Sequence, residues 1–300
     1  MIVREALQEG CRTLGESGIE APAVEAGAIL CFVKNCDRSF IYAHGEYELN
    51  STEEQMFGEL VNLRAKGKPL QYITGFQEFM SLAFEVNPSV LIPRQDTETL
   101  VEAVISYVIK TRRMDECAPD GGGCVRILDI GTGSGCIAVS LAHYIKYSCV
   151  TAADISEKAL QTAMKNAVKN NVADRISFLE SDIYSGLDSY RGSFDVIVSN
   201  PPYIPSDQID TLQREVKDHE PVNALDGGDD GLDFYRRIIG GAAEFLKPDG
   251  MLALEVGYDQ AAAVSKLMET NFCGISINKD LNGIDRVVTG LVKPVLSLEL

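Results

Sequence analysis

The sequence predicts an α/β protein, a doubly wound and mostly parallel sheet with an antiparallel C-terminal strand, preceded by a small N-terminal helical domain and a connecting β-hairpin. Three observations carry this expectation. From Val125 onward, short apolar runs alternate with helical patterns, which is the signature of βα units feeding a parallel sheet. The last two apolar runs leave no room for a helix between them, so they pair antiparallel. The first seventy residues carry helical spacing instead.

The elements follow in order. Ala6, Leu7, Cys11 and Leu14 fall on one helical face, and Pro22 suits the first turn of a helix carrying Val24, Ala28, Ile29 and Phe32. Ser51-Thr52-Glu53-Glu54 reads as an S-x-x-E capping box before a helix with Met56, Leu60 and Leu63 on one face, ended by Lys66-Gly67-Lys68-Pro69. His44 reads as a surface or capping histidine. The stretch from Phe79 to Val86 alternates like a hairpin, and a helix is expected from near Thr97 to about Arg112. Gly121-Gly122-Gly123 reads as a flexible loop. Strands are expected at 125–130, 148–153, 175–180, 194–199 and 251–256, with helices at about 136–146, 156–170, 232–246 and 259–271. The closing strands are 274–279 and 286–292. The domain boundaries expected from this pattern are 1–72 for the helical, substrate-recognising part, 73–92 for the hairpin linker and 93–300 for the α/β domain.

Composition narrows the function. No apolar run approaches the ~20 residues of a membrane helix, and Met1 to Leu7 lack the basic-then-apolar order of a signal peptide. The eight cysteines form no C-x-x-C pair, so reduced, mostly buried thiols in a cytoplasmic protein are expected, and no metal. The net charge of −17 argues against a duplex-binding face, which is normally basic, and suits a basic protein partner better. The mildly basic pieces, Arg64-Ala65-Lys66-Gly67-Lys68 and Arg112-Arg113, read as solvated helix ends.

Leu128-Asp129-Ile130-Gly131-Thr132-Gly133-Ser134-Gly135-Cys136 joins the first sheet strand to its helix. Glycines at this spacing let a ligand lie on main chain beside a helix N-terminus. Asp154, ending the second strand, is placed to accept both hydroxyls of a ribose. Asp182, with Ile183 beside it, closes the third strand where an adenine amino group would lie. Together these strand ends sketch an adenosine site. Asp129 would repel a pyrophosphate and welcome a sulfonium or an α-ammonium group, which favours S-adenosylmethionine over a nicotinamide dinucleotide.

The second constellation is Asn200-Pro201-Pro202-Tyr203, directly after the apolar run Phe194 to Ser199. Two prolines stop the strand and stiffen the corner at its carboxyl end. The corner offers an amide, bare carbonyls and an aromatic face, a set suited to a planar –NH2. Asn200 Oδ1 and the Pro201 carbonyl would each accept one N–H, with Tyr203 on the flat side. Transfer to the nitrogen then needs alignment more than a general base, and alignment of this kind contributes ~7–11 kcal/mol.

The strand order and antiparallel close resemble the class I methyltransferases. The tetrad and glycine loop, with Gln71-Tyr72-Ile73-Thr74-Gly75, Ile92-Pro93-Arg94-Gln95-Asp96-Thr97-Glu98, Glu220 to Gly228, Gly231 to Tyr235, Leu254-Glu255-Val256-Gly257 and Asp285-Arg286, resemble the family that methylates glutamine in peptide chain release factors. The resemblance spans nearly the whole chain. It implies transfer of a methyl group from S-adenosylmethionine to the N5 side-chain amide nitrogen of a Gly-Gly-Gln glutamine, with Asn200, Pro201 and Tyr203 as catalytic residues and Pro202 at the substrate. It implies no direct nucleic-acid or membrane partner. Members usually carry proline where Gln95 stands and an aromatic where Ile183 stands. The alternatives that share the tetrad are methylation of a ribosomal-protein glutamine and of the adenine N6 amine of DNA or RNA.

Overall fold

A computed structural model describes residues 1–111 and 123–294. The expectations on Arg112-Arg113, Cys117 and Gly121-Gly122 lie outside the described residues. The chain divides into two compact units, Met1–Phe76 with Leu212–Glu220, and Gln77–Thr211 with Pro221–Leu300.

The first unit is helical: α1 (Val3–Glu16), α2 (Pro22–Lys34), α3 (Arg38–Ala43), α4 (Ser51–Ala65) and α5 (Leu70–Thr74), with α9 (Arg214–Lys217) returning from later in the chain. Pro22 occupies the first turn of α2, where its missing N–H is no loss. The capping box of α4 is formed one residue earlier than expected. Asn50 Oδ1 accepts from Glu53 N at 2.9 Å, and Glu53 Oε2 accepts from Asn50 N at 3.0 Å. The buried face of α4 is also different: Phe57 and Val61 enter the core with Leu14, Ala26, Ile29 and Leu30, whereas Met56 and Leu63 are exposed. The short α3 was not expected; the Asp37 side chain caps it by accepting from Phe40 N at 2.8 Å, and His44 ends it, stacked on Phe40. Arg64 is not a solvated helix end. It is buried, paired with Glu25 and, at 2.9 Å, with Glu215.

The second unit begins at Gln77, inside the hairpin β1 (Phe76–Phe79) and β2 (Leu82–Glu85), which turns at Met80 and Ser81, both at positive φ. After α6 (Glu98–Thr111) come β3 (Val125–Ile130), α7 (Cys136–Tyr144), β4 (Ser148–Asp154), α8 (Glu157–Lys169), β5 (Ile176–Glu180) and β6 (Phe194–Ser199). Then follow α10 (Asp233–Phe245), β7 (Leu246–Glu255), α11 (Ala261–Met268), β8 (Phe272–Lys279) and β9 (Asp285–Val292). The sheet order is β5-β4-β3-β6-β7-β9-β8. Pairs from β5 to β7 are parallel, and β9 runs antiparallel to both β7 and β8, so the last strand inserts beside β7 and leaves β8 at the edge. β7 begins earlier than expected, at Leu246, with a register irregularity opposite Phe194 and Val196.

Both sheet faces are buried, which is why β3 and β6 are apolar on both faces apart from Arg126, Asp129, Asp195 and Ser199. On one face Leu100, Val104, Ile137, Leu141 and the hairpin residues Phe79 and Phe84 form a core. On the other, Tyr235, Ile238, Phe245, Val264 and Met268 pack on Leu128, Ile197 and Leu252. The order reverses at β3: the chain builds β4 and β5 on one side of it, then returns to lay β6 and β7 on the other. That reversal opens a crevice at the carboxyl ends of the strands.

The cysteine expectation fails in two respects. Cys124 and Cys149 form a disulfide with Cα atoms 6.0 Å apart, because the parallel register sets Val125 beside Ser148 and Arg126 beside Cys149. Of the described free cysteines, Cys136 is buried while Cys11, Cys31 and Cys36 are half-buried and Cys273 is exposed. Among the described residues no helix is long and apolar enough to cross a membrane.

Candidate active site

A cavity of about 320 Å³ lies at the reversal point, within the range of small-molecule sites. Its wall contains eight of the residues picked out by the sequence: Gly131, Gly133, Asp154, Asp182, Ile183, Asn200, Pro201 and Pro202. Asp129, Thr132, Ser134, Gly135 and Tyr203 are not in that wall. They support it instead.

The glycine loop turns through three positive φ values, +71° at Gly131, +54° at Gly133 and +80° at Gly135. At Gly135 a side chain is also excluded sterically, since a Cβ would stand 2.9 Å from Ala163 Cβ on α8. At Gly131 a Cβ would meet no heavy atom within 4 Å, so the backbone there faces open space that a ligand can fill. Buried Thr132 donates its hydroxyl to Asp129 Oδ2 at 2.6 Å, and Ala138 N–H donates to the same oxygen at 3.2 Å. The Ser134 carbonyl accepts from Asn166 Nδ2 at 2.8 Å, which ties the loop to α8.

Asp129 is fully buried, and its Oδ1 has no hydrogen-bond partner among the described residues. Burial pushes its carboxyl up to about 7, against the two hydrogen bonds that favour the carboxylate. A buried carboxylate oxygen left unpaired behind the loop, with open space above Gly131, fits a ligand that carries positive charge. S-adenosylmethionine, with its sulfonium and ammonium groups, meets that requirement.

Asp154 accepts from Gly133 N at 2.8 Å on Oδ2 and from Ser156 N at 2.9 Å on Oδ1. Each carboxylate oxygen keeps a second lone pair for a ribose hydroxyl. Burial raises its carboxyl, and the backbone donors oppose that rise. Asp182 is engaged on one oxygen by Arg237, which donates to Oδ2 at 2.7 Å from α10. Ile183 sits beside it at φ +58°, a strained value for a β-branched residue. Sequence reasoning missed Arg237, as well as Phe234 and the Ser89-Val90-Leu91 stretch, which complete the wall.

At the end of β6, Asn200 donates from Nδ2 to Thr97 Oγ1 at 3.2 Å. Its Oδ1 has no partner among the described residues and remains available to accept. Tyr203 is half-buried against the second core, and its phenol is pushed up to about 12, first by burial and then by the nearby Glu255 carboxylate. Its backbone is clamped. Gln260 Nε2 donates to the Tyr203 carbonyl at 2.9 Å, and Ile204 pairs with Leu225 and Gly227 through hydrogen bonds of 3.0 and 2.8 Å. The acidic, glycine-rich segment 226–231 is therefore a brace for the tetrad. A Cβ at Gly227 would stand 2.7 Å from Tyr203 Cα, so no larger residue fits there without moving the corner. Pro221, Asn223 and Ala224 reach the cavity wall, whereas Arg94 is not part of it and acts on Tyr203 and Glu255 through its charge.

The sheet order, the glycine loop and the three acidic strand ends around one crevice define a class I methyltransferase. A solved structure of the hMettl16 catalytic domain shares this fold at a TM-score of 0.54 and 17% identity, over 79% of this chain and 83% of that one. Residues 5–75 match the PrmC N-terminal domain, and residues 120–218 match the methyltransferase small domain. The chain is 46% identical to the release factor glutamine methyltransferase of Moorella thermoacetica over 89% of both chains. It is 42% identical to that of Geobacter sulfurreducens over 97% of this chain and 96% of the relative, and 40% identical to that of Koribacter versatilis over 97% and 98%. The chain belongs to the release factor glutamine methyltransferase family.

Proposed function

We infer that the protein methylates the side-chain amide nitrogen of a glutamine in peptide chain release factors, the glutamine of a Gly-Gly-Gln motif. The observation that carries this reading is the state of Asn200. Its NH2 end is engaged by Thr97, which leaves its carbonyl oxygen without a partner among the described residues, and the residue lines the crevice with Pro201 and Pro202. That arrangement accepts a hydrogen from a planar –NH2.

A glutamine amide nitrogen is a weak nucleophile because its lone pair is delocalised into the carbonyl. Asn200 Oδ1 and the Pro201 carbonyl take one N–H each, which turns the nitrogen toward the crevice and favours the positive charge that develops on it. Tyr203 limits motion out of the amide plane, and Pro201-Pro202 keep the acceptors from relaxing. Bound S-adenosylmethionine supplies an electrophilic methyl group on its sulfonium. Asp154 and Asp182 would hold its ribose and adenine, and the Gly131 to Gly135 loop would supply main chain for it to lie against. No side-chain base is needed before transfer; the surplus proton leaves the methylated nitrogen afterwards.

The helical unit is assigned to substrate recognition, and the acidic surface suits a basic protein partner rather than nucleic acid or membrane. A cytoplasmic location follows from that substrate and not from the cysteines. The test offers labelled S-adenosylmethionine to the enzyme with release factors, ribosomal proteins and DNA in parallel. Label is expected in the release factor; label confined to DNA or to a ribosomal protein would overturn the reading.

A further inference from the structure

Thr162 and Asn166 of α8, and Asn170 at its C-cap, stand four residues apart and so form one row along the helix. That row meets Ala83, Glu85 and Asn87, every second residue of β2 and the chain that leaves it, in the opposite order. Asn170 Nδ2 donates to the Ala83 carbonyl at 3.0 Å, and Asn87 Nδ2 donates to Thr162 Oγ1 at 2.9 Å. Between them Asn166 exchanges two hydrogen bonds with Glu85. Its Oδ1 accepts from Glu85 N at 2.7 Å, and its Nδ2 donates to the Glu85 carbonyl at 2.9 Å. A neighbouring strand would pair in this way, and here a side chain does so at the edge of a two-stranded sheet. The spacings match because four helical residues rise about 6 Å and two extended residues about 6.7 Å.

Asn166 does more than seal that edge. It is fully buried, and Nδ2 gives its second proton to the Ser134 carbonyl of the glycine loop at 2.8 Å. The next residue but two, Ala163, bears on the same loop and leaves no room for a side chain at Gly135. Thr162 gives its own proton to the Lys158 carbonyl at 3.1 Å, so that its lone pairs receive Asn87. Asn87 then bends the chain: its Oδ1 accepts from Ser89 N at 2.9 Å, and its carbonyl accepts from Val90 N at 3.1 Å. This turn delivers Ser89, Val90 and Leu91 to the cavity wall, which they share with Gly131 and Gly133 of the loop.

We propose that Asn166 is a positioning residue for S-adenosylmethionine: it ties the glycine loop and the hairpin exit to one helix, so that both parts of the wall are set before the cofactor arrives. Without its carboxamide, the Ser134 carbonyl and both backbone groups of Glu85 lose this partner. Cofactor binding must then order the wall, and that ordering weakens it. Asn170 is the contrast within the same row. Its Nδ2 holds the Ala83 carbonyl and, at 2.9 Å, the Asn166 carbonyl, and it makes no hydrogen bond to the loop. The inference concerns the cofactor and holds whichever nitrogen is methylated.

The test is the calorimetric Kd for S-adenosylmethionine, without substrate, in the wild type, Asn166→Ala, Thr162→Val and Asn170→Ala, with urea midpoints for the same proteins. Asn166→Ala should raise Kd about five- to tenfold, the scale of one hydrogen bond that no longer pre-orders the loop. Its kcat at saturating cofactor should stay within about twofold of the wild type. Thr162→Val keeps the side-chain shape, loses the acceptor for Asn87, and should raise Kd about two- to fivefold. Asn170→Ala should lower the urea midpoint and leave Kd unchanged, because it loosens the hairpin and not the loop. An unchanged Kd in Asn166→Ala, or equal rises in Asn166→Ala and Asn170→Ala, overturns the inference. If Asn166→Ala does not fold, an unchanged Kd in Thr162→Val overturns it. A wild type that binds the cofactor yet transfers no methyl to release factor glutamine overturns the functional reading instead, so the two failures are distinguishable.

Discussion

Replacing Asp129 by asparagine should change how stability depends on pH, by an amount that the burial of this one carboxyl sets. The group moves from an ordinary 3.8 to about 7 in the folded protein, with burial the largest cause. Between those values the folded state holds the proton more tightly than the unfolded chain. Stability is therefore greatest below pH 3.8 for this group and is lost as pH rises through about 7. The full gap corresponds to on the order of 4 kcal/mol. Glu255, pushed from 4.5 to about 7, adds a second loss of the same sign, on the order of 3 kcal/mol. The Asp129→Asn variant should lack the first of these and keep the second, together with the smaller rise of Asp154, so the pH slope becomes shallower without vanishing. The slope is the proper readout. An amide places N–H groups where Oδ1 now stands unpaired, which costs about 1–3 kcal/mol at every pH. Urea unfolding without cofactor, from about pH 5 to pH 8, measures both quantities, with an unchanged m-value as the control. Parallel pH dependences in wild type and variant would refute the reasoning. S-adenosylmethionine, by placing positive charge near the carboxylate, should stabilise the wild type more than the variant at about pH 8.

Three other changes probe the site. Gly227→Ala puts a Cβ 2.7 Å from Tyr203 Cα and should lower kcat by displacing the tetrad while leaving the cofactor Kd within about twofold, read by steady-state kinetics and calorimetry. Gly135→Ala meets Ala163 at 2.9 Å and φ +80°, and should destabilise by about 1–3 kcal/mol in thermal melts. Arg237→Met releases Asp182 from a pair whose members are both near half-exposed, so solvent limits its worth to about 1 kcal/mol or less. The cofactor Kd should therefore rise by no more than about fivefold, and a hundredfold loss would mean that Arg237 touches the cofactor itself.

How far the sequence was legible depended on the range of the interaction. Strand ends, the glycine loop and the tetrad are local patterns, and Val125–Ile130 and Phe194–Ser199 lie where their apolar runs placed them. The cap of α4 was misplaced by one residue because Asn50 and Ser51 are both good caps, and only the chain's entry path chooses between them. Its buried face was partly misread: Leu60 does pack on the core, but Met56 and Leu63 form as regular a stripe with it as Phe57 and Val61 do, and packing against α1 and α2 decides which turns inward. The Cys124–Cys149 pair depends on the register of β3 against β4, which no spacing along the chain reveals. Thr97 stood in a stretch that matched the family, yet its hydrogen bond to Asn200 spans 103 residues. Such links appear only when the sheet is assembled.

The most direct test is tandem mass spectrometry of a release factor incubated with S-adenosylmethionine and either the wild type or Asn200→Ala. The wild type should leave a single methyl on the side-chain nitrogen of the Gly-Gly-Gln glutamine. The variant should lose at least about a hundredfold in kcat, the scale of one transition-state acceptor, while still binding cofactor. A methyl group on any other residue, or full transfer by Asn200→Ala, would contradict the account.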